Sequence, residues 1–523
     1  MPLHKNMFDY ALCGAGSVGI SFLYQFLCSL QKENAASGVT ILIVDPRIRL
    51  GSGLPYQPGD KTAILNTRSA STTAVYGEPE HFHAWLVRNS EDLLPDYQDL
   101  DLSPTGFVPR SVFGRYLEDM YLQSLELAHR LGVRIIRCRT ALSSIKIDLH
   151  GAHLQTGDGN SHVAKHVILC IGNPPSRPYG DLTKSPRYIQ HPYPGDRQLA
   201  SIPPDASVCV IGSGLTAIDV VIALHRNNGV RDIVCVSRNG RMQSVKSSLA
   251  RQPCLSFLTP DNLRTIVKNQ GRSLTLAELA DLYIQEVEAF SGEPFVLTDI
   301  LRRHMSCHEY LMDEIRLSEE GNKAWQATLY AINDVADEIW RHLSDEARTE
   351  FLANHRDDFM SYKVAIPVQS ARLLATMLAS GELRVLKAAS EVKYQSARDT
   401  YVLHAGEAHR DEISEVAASH VVNATGFPIA YTELGDALVD SMVRSGLAVP
   451  SPFGGLKVDF ESSDLIDRSG HRVHSVSCLG TATVGTYFWT NGMDVNSRIA
   501  SRLAVRLARE RAKKASQALE QLQ

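Results

Sequence analysis

The sequence predicts an α/β fold with two dinucleotide-binding, Rossmann-like domains and a helical insertion. Three observations carry that prediction. An apolar run closes in Gly14-Ala15-Gly16-Ser17-Val18-Gly19, a second closes in Gly212-Ser213-Gly214-Leu215-Thr216-Ala217, and apolar residues recur at helical spacing across residues 250–350. At 523 residues the chain exceeds the ~100–200 typical of one domain, so two such units and an insertion fit within it.

The first motif reads as strand, tight turn, helix: Phe8 to Cys13, the glycine string, then Ile20 to Gln31. Gly14 permits the turn, Gly16 lets the backbone approach a pyrophosphate, and Gly19 lets helix and strand pack closely. Ser17 opens the helix, whose first N–H groups have no partner within it and suit phosphate oxygens. The next strand, Val39 to Val44, ends in Asp45, and a carboxylate there accepts hydrogen bonds from ribose hydroxyls.

The second motif follows the strand Ala206 to Ile211. Gly212 and Gly214 have the turn and close-approach roles, Leu215 and Thr216 open the helix, and Ala217 stands where the third glycine would be. The following strand, Asp232 to Val236, ends in Ser237, Arg238, Asn239, Gly240 and Arg241 rather than in an acid. Serine and arginine bind a 2′-phosphate that a carboxylate would repel, so Ser237, Arg238 and Arg241 point to NADPH; a solvated basic turn is the competing reading. Two dinucleotide sites in one chain imply electron transfer between bound cofactors. Asp45 suits FAD, so the expected path runs from NADPH to the flavin.

Composition narrows the partners. The net charge of −5, with acids and bases mixed along the chain, predicts no broad cationic surface for nucleic acid or membrane. Nine scattered cysteines without a CxxC pair favour a reducing compartment and give neither a zinc site nor a redox dithiol. His304, His308 and His342 are too loosely spaced for a metal site, and no metal is expected. No secretion signal or membrane span is read, so a cytoplasmic location is expected. The oligomeric state is left open, with a homo-oligomer among the options.

Two further junctions, Lys165 to Ile171 before Gly172 and His420 to Asn423 before Ala424-Thr425-Gly426, have the look of strand–glycine crossings between domains. Together with Gly51-Ser52-Gly53-Leu54-Pro55-Tyr56, Leu65-Asn66, Phe107-Val108-Pro109-Arg110 and GSGLTAIDVV ahead of VSRNG, they resemble the glutathione reductase-like and flavin monooxygenase-like flavoproteins. Within that group the resemblance is nearest to amino-acid N-monooxygenases such as nitrosuccinate-forming aspartate N-monooxygenase, and it spans nearly the whole chain.

The resemblance implies an FAD monooxygenase that uses NADPH and O2, transfers oxygen through a flavin C4a-hydroperoxide and N-hydroxylates an amine or amino acid. It implies that Asn66 lies by the flavin ring as a cofactor-binding and catalytic residue. Cys478-Leu479-Gly480 and Gly485 to Thr490 look like a flavin-closing segment, with Gly480 and Trp489 at the cofactor. Tyr487, Phe488 and Trp489 either line the flavin pocket or plug an interface. A helix is expected from about Asp494 through Arg511. Arg68, Arg110 and Lys363 are the candidates for a substrate carboxylate, with Lys363 also a catalytic candidate; Arg110 has a structural ion pair as its alternative. The strand-like segment 360–367 departs from the family pattern, since only Pro367 and the charge of Lys363 remain of its histidine–arginine cluster.

The insertion, about 255–355, is expected to hold a helix from SLTLAELADLYIQEVEAF capped by Ser273, then helices over Asn322 to Leu343 and Ser344 to His355. The expected division is 1–200 for the first part of the FAD domain, 201–400 for the NADPH domain with its insertion, and 401–523 for the returning FAD part and last helix. A flavin reductase or oxidase with another acceptor is the alternative activity, and a non-catalytic nucleotide-binding regulator a second.

Overall fold

A computed structural model describes residues 7–59, 61–173, 176–249, 252–302, 304–429 and 435–520, so the first six residues and the last three of the charged tail lie outside it. The chain divides into two units: Met1–Pro58, Thr67–Pro174 and Ile429–Gln523 in one, and Gly59–Asn66 with Pro175–Pro428 in the other.

The first unit is organised on a sheet whose order is Asp464–Ile466, Arg472–Cys478, Ser161–Leu169, Met7–Cys13, Thr40–Val44, Arg134–Cys138. Its central strands pair in parallel, and the hairpin Leu142–Asp148 and Gly151–Thr156 joins Ser161–Leu169 in antiparallel fashion. Parallel strands are covered on both faces, which explains why Met7–Cys13 and Thr40–Val44 are nearly continuous apolar runs. The glycine-motif helix Ser17–Lys32 packs along the last helix, Met493–Glu520, and along Arg110–Leu131. Buried Gln25 pins that layer, donating to the Ser497 carbonyl at 3.1 Å and accepting from the Tyr76 N–H at 3.0 Å.

The second unit repeats the plan. Its sheet runs Lys393–Gln395, Thr400–Gly406, Leu383–Ala388, Asp232–Ser237, Ser207–Ile211, His420–Asn423, Tyr188–Ile189, with Ser414–Ala418 beside Thr400–Gly406. In each sheet the motif strand lies between the strand that ends in the ribose-side turn and one that ends in a strand–glycine junction. The pairing of Tyr188–Ile189 and His420–Asn423 with this sheet is why the units part at 174/175 and 428/429, where the sequence division had placed 200 and 400.

The insertion is helical, with changed boundaries. Leu276–Ser291 is capped by Thr275 in a reciprocal box with Glu278, not by Ser273. Leu274 is held extended, its N–H on the His342 carbonyl at 2.8 Å and its carbonyl taken by the Ser344 N–H at 3.0 Å, so the helix begins only after it. The helix expected over 322–343 is broken into Ala324–Ala331 and Ala336–His342 by a tighter turn carrying Asn333 and Asp334, residues that favour turns. The segment expected to be strand-like at 360–367 is instead the end of the helix Arg356–Lys363. Only the residues before Pro367 are extended, as a proline demands, and Ile366 bridges to Val245. Among the described residues no helix is long and apolar enough to cross a membrane.

Candidate dinucleotide sites

The same four constraints build both glycine turns. In the first unit the Gly14 N–H donates to the Val44 carbonyl at 2.9 Å and the Cys170 N–H to the Cys13 carbonyl at 2.7 Å. In the second the Gly212 N–H donates to Val236 at 2.7 Å and the Ala424 N–H to Ile211 at 2.9 Å. Each first glycine has a positive φ, +93° at Gly14 and +122° at Gly212. A β-carbon there would lie 2.1 Å from the Cys170 carbonyl oxygen or 2.5 Å from that of Ala424. The strand–glycine junctions noticed in the sequence are thus the walls of the two turns.

Gly16 and Gly214 cap the following helices with extended backbone and no side-chain hydrogen bond, leaving the first-turn N–H groups at Ser17 and at Leu215 and Thr216 facing the turn. A β-carbon on Gly19 would meet the Gly14 carbonyl oxygen at 2.2 Å; the second helix carries the Ala217 methyl at the corresponding place, fully buried. Around the first turn the Gly51 N–H bonds the Ala15 carbonyl at 2.8 Å, so the glycine loop 51–53 runs alongside. Gly480 sits against Val18 and Thr481 donates to the Gly172 carbonyl at 2.9 Å, which brings the C-terminal segment to the same turn.

Asp45 is buried at the strand end, 1% exposed. Its Oδ2 accepts from the Ala15 N–H at 2.7 Å, and Arg47 chelates it through Nε at 2.9 Å and Nη2 at 2.5 Å. Burial opposes ionisation here, but Arg47 and the backbone donors outweigh it and hold the carboxyl below its ordinary range. Arg47 is absent from the sequence reading; its signal was a cation two residues past the ribose-side acid.

At the second turn Ser237 Oγ accepts from the Gly240 N–H at 3.0 Å, shaping the basic loop. Arg238 is exposed and pairs with Asp357 at 2.6 Å. Arg241 does not join it: its guanidinium donates to the main-chain carbonyls of Leu301 at 2.5 Å and Arg302 at 3.3 Å, which ties the loop to the insertion. Arg356, also missed, stands close enough to Arg238 that burial first and this like charge as well depress its basicity. A cation reserved for carbonyls and one open to solvent predict different variants. Arg238→Ala raises the KM for NADPH about ten-fold while leaving that for NADH unchanged, and Arg241→Ala lowers thermal stability with the coenzyme preference intact. Steady-state kinetics with both coenzymes and a melting curve read the split.

The remaining candidates fare differently. Arg68, half-buried, precedes the turn Ser69–Ser71, and Arg110 is the first residue of Arg110–Leu131, its charge felt at Tyr56; both are in the first unit. Asn66 is half-buried and is the last residue of the Gly59–Asn66 stretch that groups with the second unit. Lys363 is 3% exposed, its ammonium donating to the Leu329 carbonyl and lying 5.4 Å from the centre of the Tyr330 ring. The sequence makes Lys363 a candidate substrate or catalytic cation; the structure places its ammonium against the insertion helix Ala324–Ala331.

Tyr487 is fully buried, with its hydroxyl on Ser463 at 2.8 Å and on the Phe460 carbonyl at 3.0 Å, all within the first unit. Phe488 has φ +59°, closed by the Trp489 N–H on the Tyr487 carbonyl at 2.7 Å, a strained three-residue turn. Trp489 is 7% exposed beyond that turn. Among the described residues no three His, Cys, Asp or Glu side chains come together to hold a metal ion.

Comparison with known proteins agrees with this geometry. The FAD-NAD(P)-binding family matches residues 11–174, the part that holds the first turn and its walls. The L-lysine 6-monooxygenase/L-ornithine 5-monooxygenase family matches residues 100–275, which hold the second. Among solved structures, the reduced form of ornithine hydroxylase from Pseudomonas aeruginosa is similar with a TM-score of 0.56 at 13% identity, over 96% of this chain and 99% of that one. L-lysine 6-monooxygenase from Pseudomonas syringae is similar with a TM-score of 0.56 at 14% identity, over 97% and 99%. Ornithine N-hydroxylase from Kutzneria sp. 744, in a structure with reduced FAD, NADP+ and L-ornithine, gives 0.55 at 14% identity, over 97% and 100%. No curated protein sequence matches.

The fold and the two turns define an FAD/NAD(P)-binding class of protein with two Rossmann-like domains. Residues 100–275 are similar to the L-lysine 6-monooxygenase/L-ornithine 5-monooxygenase family, in line with the resemblance read from the sequence.

Proposed function

We propose that the chain hydroxylates the nitrogen of a small amine or amino acid, using FAD at the first turn and NADPH at the second. The observation that supports this reading most directly is the duplicated turn with opposite ribose-side chemistry: buried Asp45 at one, Ser237 with Arg238 at the other. Gly14, Gly16 and Gly19 bring the backbone against one pyrophosphate, and Gly212 and Gly214 against the other. Asp45 takes the ribose hydroxyls of FAD, while Ser237 and Arg238 hold the 2′-phosphate. When bound, FAD supplies hydride acceptance and oxygen activation. The balance is one amine, one O2, one NADPH and one proton to one hydroxylamine, one NADP+ and one water.

The protein need supply no nucleophile for this chemistry; it must present the amine unprotonated and keep water away while oxygen is transferred. Arg68, Arg110 and Lys363 remain the candidate cations for a substrate carboxylate; Lys363 is the most buried of them, its ammonium donating to the Leu329 carbonyl.

Rapid mixing of NADPH-reduced, FAD-loaded protein with O2 tests the reading. The expected result is a transient flavin absorbance, distinct from both oxidised and reduced forms, whose decay is accelerated by the true amine with formation of its hydroxylamine. Direct return to oxidised flavin with one peroxide per turnover, unchanged across a panel of amines and amino acids, would make the chain an oxidase or reductase instead.

A further inference from the structure

Arg47 does more at the first turn than its pairing with Asp45 shows. Asp45 accepts from four donors: Ala15 N–H at 2.7 Å, Arg47 N–H at 2.9 Å, and the Arg47 Nε and Nη2 at 2.9 and 2.5 Å. Four is about the full lone-pair capacity of a carboxylate, so ribose hydroxyls gain a place on Asp45 only if Arg47 yields one. The guanidinium also lies over the close-approach Gly16 and over Gly53 of the neighbouring loop: β-carbons there would meet its nitrogens at 3.6 and 3.4 Å. Those small residues leave room for the backbone to approach a pyrophosphate, and the planar cation already lies in that space, 35% exposed at its side chain. Its carbonyl is held separately, with Arg137 donating to the carbonyls of Arg47 and Ile48, so the side chain can change partner while the turn stays in place.

We propose that Arg47 exchanges anions on cofactor binding: it leaves Asp45 to the adenosine ribose and transfers its guanidinium to the FAD pyrophosphate. The two steps are linked, because the departing cation both unmasks the ribose acceptor and neutralises phosphate charge. Arg47 is thereby a positioning residue for the dinucleotide. This rests on the assignment of FAD to the first turn.

The test is titration of the full-length, flavin-stripped protein with FAD, ADP and adenosine, by calorimetry and flavin fluorescence. Arg47→Met weakens FAD and ADP about ten- to a hundred-fold, the worth of a charge-assisted phosphate contact, while adenosine binds as in the wild type or more tightly because Asp45 is free. Arg47→Lys, which keeps the charge without the two-pronged grip, retains FAD within a few-fold. Loss of adenosine along with ADP, or loss of FAD by the lysine variant as well, would make Arg47 a mere brace of the loop and overturn the proposal. Unchanged ADP and FAD affinity in Arg47→Met would overturn it too. Asp45→Ala separates the two levels: wild-type FAD affinity in that variant removes FAD from this turn and takes the proposal with it.

Discussion

Gly14→Ala yields a protein that purifies without flavin and melts at a markedly lower temperature than the wild type. The added β-carbon would stand 2.1 Å from the Cys170 carbonyl oxygen, which is backbone immediately after the neighbouring strand and cannot swing aside. The positive φ of +93° adds a second penalty, since an alanine rarely adopts it. Together these cost on the order of 3 kcal/mol or more and displace the helix start that faces the phosphates. Gly212→Ala meets the same obstacle at the Ala424 carbonyl oxygen, 2.5 Å away, but in the other unit. It is expected to keep its flavin colour and lose reduction by NADPH. The ratio of flavin to protein absorbance, with anaerobic reduction by NADPH and by dithionite, reads both. A Gly14→Ala protein holding stoichiometric FAD would refute the assignment of the two turns.

Lys323→Met destabilises the second unit by about 3–5 kcal/mol, the usual result of removing one partner from a buried ion pair. Lys323 and Glu314 are both fully buried, their side chains 2.6 Å apart, and Lys323 also donates to the Val245 carbonyl at 2.8 Å. Glu314 accepts from the Val245 N–H at 2.9 Å and pairs with Arg302, so the cluster ties the segment after the basic loop to the insertion. On the scale of about 2–4 °C per kcal/mol for a unit of this size, the melting point falls by about 10 °C.

The pair also sets an acid limit. Burial resists ionisation of Glu314, but Lys323 and Arg302 outweigh it and hold its carboxyl below the ordinary 4.5. A folded-state value below the unfolded one stabilises the protein above about pH 4.5, and that contribution is lost as pH falls through the folded value. In Lys323→Met the loss begins at higher pH, because the Coulombic support of the carboxylate is weaker. Melting curves from pH 7 to pH 4 check the direction, and parallel curves for variant and wild type would show that the pair does not act this way.

Much of the fold was legible because its signals are local. A strand that runs into Gly14 and ends its neighbour in Asp45 needs only a few residues to state its geometry, and the same holds for Gly212 and for Ser237. The His420–Asn423 strand and its glycine junction were readable for the same reason, although their role as a wall of the turn was not.

Long side chains and competing caps were less legible. Lys363 and Arg241 carry a charge on a flexible stem, and the sequence holds no record of which carbonyl will come within reach. Leu329 captured one and Leu301 the other, both brought in by insertion segments distant in sequence. Ser273 and Thr275 are equally good caps by residue type, and the choice was made by Leu274 pairing with the chain near Leu343. What the sequence by itself determined is the pair of glycine turns and the opposite chemistry at their ribose ends, because backbone sterics and charge act over a few residues. What only the tertiary structure decided is which cations remain available to a ligand, because a buried charge must find a partner and the partners come from elsewhere in the chain.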